Sequence, residues 1–101
     1  MFGRPEQLLL EVDMPVFMAD RELPGVTLPQ LADAQRAAIE TSKRFTADGH
    51  PVKYLRSMYV PGESHCMCLF EAPDADSVRA VNEAAGIPFT RIVEAVDLPP
   101  A

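Results

Sequence analysis

Five polar side chains could meet on one surface and do chemistry there: Glu22, Tyr54, Arg56, His65 and Glu71. An imidazole beside carboxylates can ligate a borderline divalent ion such as nickel or zinc, or move a proton. Glu22, His65 and Glu71 are the metal-ligating candidates. Arg56 is permanently protonated, so it lines such a site without ligating. Glu71 follows Leu69-Phe70 and precedes Ala72. A charge in so apolar a segment needs a partner if it is buried, and Arg56 on a neighbouring strand would serve. An acid or base tuned by a cavity and a structural ion pair both remain open for Glu71.

Other residues have simpler explanations. Cys66-Met67-Cys68 places two thiols on one side of a strand, roughly 6–7 Å apart from the strand rise. That is far for an unstrained disulfide, and two soft ligands fall short of the four of a structural zinc site. They read as small buried apolar groups. Asp20-Arg21-Glu22 reads as the solvated end of a strand, and His50 before Pro51 as a loop residue. Asp74 and Asp76 suit a helix start. The five methionines are adaptable packing. The chain has no Gly-rich phosphate loop, G-x-S-x-G or H-E-x-x-H.

The elements that must position these residues are legible from turn chemistry and periodicity. A strand over 15–22 stops at Leu23-Pro24-Gly25. Thr27 and Gln30 can form a capping box over Pro29, and Leu31, Ala34, Ala38 and Phe45 recur on one helical face. Gly49 and Pro51 end that helix. A strand over 52–60, a turn at Pro61-Gly62-Glu63-Ser64 and a strand over 65–72 follow. Asp74 caps a helix over 75–85 that closes at Gly86, and a last strand runs over 90–96.

The order βαββαβ is the ferredoxin-like split motif: an α+β sandwich with an antiparallel sheet and two helices on one face. Residues 14–98 form this domain, 1–13 an N-terminal extension and 99–101 a tail. Leu8-Leu9-Leu10 is an edge strand or part of a short helix. The other sheet face is left bare, which invites a second copy, so a homodimer is expected. Alternation puts Cys66, Cys68 and Phe70 under the helices, and His65, Met67, Leu69 and Glu71 on the open face. On the second strand Tyr54, Arg56 and Met58 share the open face. On the first, Asp20 and Glu22 lie opposite Arg21.

At 101 residues the chain is one domain with a modest core. Nine basic against fifteen acidic residues give a net charge of −6, which excludes the cationic surface a nucleic-acid binder needs. No apolar run approaches a membrane span, and the N-terminal residues do not read as a signal peptide. Two cysteines are too few for a disulfide scaffold, so the protein reads as cytoplasmic.

Asp20-Arg21-Glu22-Leu23-Pro24-Gly25, Tyr54-Leu55-Arg56-Ser57, Cys68-Leu69-Phe70-Glu71-Ala72-Pro73, Ala85-Gly86-Ile87-Pro88 and Arg91-Ile92 together resemble a family of small bacterial ferredoxin-like proteins. That family was first defined as a domain of unknown function and is typified by a nickel-binding protein. The resemblance spans about residues 15–97. It implies a dimeric ferredoxin-like fold and Ni2+ as the cofactor.

The expected role is a small dimeric binding protein for a divalent metal or a small organic ligand. The site would be the open sheet face or the dimer cleft. The alternative is a cofactor-free enzyme of the dimeric ferredoxin-like class, a monooxygenase, isomerase or cyclase. There His65 or Glu71 would be the base and Arg56 the oxyanion holder. A purely structural interaction module is the third reading.

Overall fold

The structure, a computed structural model, describes residues 14–100. The extension 1–13, with its Leu8-Leu9-Leu10 strand or helix, lies outside the described residues. Strand β1 (Val16–Glu22) leads to helix α1 (Leu28–Ala47), strand β2 (Lys53–Val60), a short 3-10 turn (Pro61–Glu63) and strand β3 (His65–Glu71). Helix α2 (Ala75–Ala85) and strand β4 (Arg91–Ala95) complete the chain. The sheet order is β2-β3-β1-β4 and every pairing is antiparallel. This is the ferredoxin-like α+β sandwich.

The helix boundaries are set as the sequence requires. Thr27 accepts from the Gln30 backbone N–H while the Gln30 side chain accepts from the Thr27 N–H, closing the capping box. Asp74 accepts from the Ser77 N–H at 2.8 Å and starts α2. Gly86 ends it with φ 72°, a left-handed position that costs glycine nothing.

The core lies between the sheet and the helices. Phe17 and Ala19 from β1 and Cys66, Cys68 and Phe70 from β3 meet Ala38 of α1 and Val78 and Val81 of α2. Phe70, Val78 and Val81 are fully buried, each removal from water worth about 1.5–3 kcal/mol. Alternation then sends Val16, Met18, Asp20 and Glu22 to the other face, beside His65, Met67 and Leu69.

One irregularity changes which side chains can meet. The β2–β3 register shifts between Tyr54 and Arg56, leaving Leu55 without a partner. An extra residue in one strand reverses the facing of everything before it. Tyr54 was expected beside Arg56 on the open face. It lies instead on the helix side, its ring edge-on to Phe70 at 5.5 Å.

Candidate functional site

Three strands bring charged groups together at one end of the open face. The β1–β3 register sets Glu22 against His65, and the β1–β4 register sets Asp20 against Arg91. Backbone bonds fix the flanking loops: Leu23 N–H donates to Ser64 O at 2.8 Å, and Thr90 N–H donates to Asp20 O at 2.7 Å. Ser64, with φ 51°, turns the chain into β3 and aims His65 at β1. The His65 Nε2 abuts Asp20 Oδ1, and its Nδ1 lies 3.5 Å from Glu22 Oε2. The Arg91 Nε donates to Asp20 Oδ2 at 3.0 Å. The Asp20 side chain is only 8% exposed, whereas that of Glu22 is 61% exposed.

The structure thus joins Glu22 and His65 and separates the other expected partners. Glu71 closes β3 opposite Val16 and Lys53, six residues from His65 and so roughly 20 Å away along the strand. Arg56 shares the open face but donates to Asp97 Oδ2 at 2.6 Å, not to Glu71. Tyr54 is on the other side of the sheet. Asp20 and Arg91 were missed as members of the cluster. Asp20 alternates with Glu22 and Met18, which placed it on the right face. Its burial depends on β4, a pairing that local pattern does not reveal.

The helix side holds a second constellation. Arg21, next to Asp20 in sequence, points the opposite way and is 2% exposed. Its guanidinium donates to Pro88 O at 3.1 Å and to Asn82 Oδ1 at 2.9 Å. Asn82 in turn donates to Val78 O at 2.9 Å. Arg21, Cys66 and Cys68 line a cavity of about 280 Å³ between α1 and the sheet, with Tyr54, Ser57 and Leu31. The two sulfurs lie 3.8 Å apart, closer than the strand rise implies, because the side chains lean together. Ser57 Oγ donates to Cys68 Sγ at 2.9 Å. Hydrogen bonding from the Cys66 thiol, with Arg21 and Ser57 in support, outweighs burial and pulls Cys68 down to about 5. The same contact with Cys68, then burial, pushes the Cys66 thiol up.

A ferredoxin-like sandwich with an imidazole–carboxylate cluster on its open face defines the class. The chain matches the model of the SCO4226-like family, described as nickel responsive protein SCO4226-like, over residues 17–95, and it belongs to that family. Among solved structures it is similar to SCO4226 from Streptomyces coelicolor A3(2), at 29% identity and a TM-score of 0.70. That match covers 84% of this chain and 99% of the other. No curated protein matches it.

The donor types at His65 suit nickel, which accepts imidazole and carboxylate ligands. Their arrangement is open. The ring turns opposite nitrogens to Asp20 and Glu22, and among the described residues no three His, Cys, Asp or Glu side chains converge as a metal site. One imidazole nitrogen and one carboxylate are what the described residues of a single chain offer an ion here. Also among the described residues, no helix is long and apolar enough to cross a membrane.

Proposed function

We propose that this chain is a small cytoplasmic homodimer that binds a divalent cation, nickel first, at the open sheet face. His65 with Asp20 or Glu22 would hold the ion, and water or a second copy would complete its shell. The observation that carries this reading is His65 flanked by two carboxylates, one of them almost wholly buried. An ion there neutralises carboxylate charge that the fold otherwise balances with Arg91 alone among the described guanidinium groups at the cluster. Membership of a nickel responsive family supports the choice of ion. Met58, 65% exposed, with partly buried Met18, Met67, Leu69 and Val93, gives the face the apolar character that a second copy would cover.

Native mass spectrometry of the metal-free protein, followed by titration with Ni2+ and Zn2+, tests the reading. A dimer that takes up Ni2+ in a fixed ratio, and fails to after His65→Ala or Asp20→Asn with the fold intact, is expected. No uptake, or uptake that His65→Ala leaves unchanged, overturns it.

A further inference from the structure

The helix-side cavity is unlike the rest of the core because it combines apolar walls with groups that activate a nucleophile. Cys68 and Cys66 stand in contact at 3.8 Å, and Ser57 Oγ donates to Cys68 Sγ. A relay continues outward. Ser57 Oγ and the Tyr54 hydroxyl share a hydrogen bond of 2.5 Å, and Gln35 Nε2 donates to Tyr54 at 2.9 Å. Arg21 also lines the cavity, and its two hydrogen-bonded partners, Asn82 and Pro88 O, are neutral. A buried guanidinium without a carboxylate partner among the described residues favours an anion nearby, and the adjoining described group able to become one is a thiol.

The cavity is reachable. Leu28, at 76% exposure, forms part of its wall, as do the exposed Ala32 and Gln35, so it opens beside the first half of α1. A volume of about 280 Å³ is far more than a bare ion requires and is near the lower end of small-molecule pockets. The positive charge of Arg21 disfavours a free cation there.

We propose that this cavity is a covalent capture site for a small, mostly apolar α,β-unsaturated carbonyl compound, with Cys68 as the nucleophile. The Cys68 thiolate forms a bond to the β-carbon. The carbon–carbon π pair shifts to place the negative charge on the carbonyl oxygen as an enolate. That enolate takes a proton from water, leaving a thioether and a hydroxide ion. No oxidant or reductant is consumed. Arg21 is placed to offset the charge in both the reactant thiolate and the enolate. The Leu31, Ala34 and Ile87 side chains hold the carbon skeleton.

The charged and titratable groups that face Cys68 are Arg21 from β1, Cys66 from β3, and Tyr54 and Tyr59 from β2. From α1 and the Gly86–Pro88 loop only neutral side chains line the cavity. The Cys68 thiolate fraction therefore changes less between pH 6 and 8 than that of an ordinary thiol.

The test is the rate and site of addition of N-ethylmaleimide to the full-length protein, read by intact and peptide mass spectrometry. One equivalent is expected on Cys68, with a rate that rises less from pH 6 to 8 than that of glutathione. Cys68→Ser should abolish it, and Ser57→Ala should slow it several-fold at pH 6. Ala34→Phe, which narrows the cavity without touching the sulfurs, should slow it at least tenfold. A native protein that resists labelling, a rate that climbs with pH like glutathione's, or an unaltered rate in Ala34→Phe overturns the proposal. Circular dichroism of each variant separates these outcomes from loss of fold.

Discussion

Asp20 and Arg21 are consecutive, oppositely charged and almost wholly buried, yet they serve different faces of one sheet. On the open face Asp20 meets the His65 imidazole and the Arg91 guanidinium. On the helix side Arg21 meets a side-chain amide, a backbone carbonyl and two thiols, among Phe17, Ala19 and Val78. Strand alternation forbids the two neighbours from pairing with each other. Each charge instead finds a hydrogen-bond partner some sixty or seventy positions away. The open face holds a polar cluster whose outer members, Glu22 and Arg91, reach solvent. The helix side holds a fixed charge whose field acts on a nucleophile.

The largest effect should come from breaking the helix-side network. Asn82→Leu leaves the buried guanidinium of Arg21 with Pro88 O alone among its hydrogen-bond partners in the described residues and removes the bond to Val78 O. The loss is expected at about 3 kcal/mol in denaturant unfolding. Arg91→Gln, on the open face, removes a partner of Asp20 that is itself 60% exposed, and should cost no more than about 1 kcal/mol. Equal losses would mean that the two faces do not differ in how they satisfy charge.

A pH series sharpens the contrast. The folded Cys68 sits at about 5, below the ordinary thiol value of about 8.5. Between those values the unfolded chain binds more protons than the folded one, so stability rises with pH. The contribution is complete above the unfolded value and is lost as pH falls through 5. Cys66, shifted upward, opposes this only above the usual thiol range. Wild type minus Cys68→Ser should gain about 1–2 kcal/mol from pH 5.5 to 7.5, below the ceiling of about 1.4 kcal/mol per pH unit. A flat difference would show that the folded protein keeps Cys68 protonated, and would remove the electrostatic distinction between the faces.

How much of this was legible follows the range of the interactions. The helices were readable because their determinants are local: Thr27 with Gln30, Asp74 with Ser77, Gly86 at a left-handed position. The placement of Cys66, Cys68 and Phe70 beneath the helices followed from period-two alternation and holds. The same rule failed at Tyr54, because an unpaired Leu55 is a property of two paired strands and not of either alone. Reading Asp20-Arg21-Glu22 as solvated failed at two of its three residues. Their partners arrive from β3, β4 and α2, and nothing within the tripeptide announces them. Glu22 alone, 61% exposed at the side chain, behaves as a strand end should.

The smallest expected effect decides where the open-face site ends. Arg56 and Asp97 form a pair whose side chains are 57% and 33% exposed. Such a pair contributes little, so Arg56→Gln should cost about 0.5 kcal/mol or less. It should also leave Ni2+ uptake unchanged, because Arg56 stands apart from His65, Asp20 and Glu22 in the charge pairing. Glu71→Gln should be equally silent, since Glu71 occupies the far end of β3. Its loss of uptake with an intact fold would mean that a second copy carries Glu71 to His65. The open-face part of the constellation drawn from the sequence, Glu22, His65 and Glu71, would then meet between chains, while Tyr54 stays on the helix side.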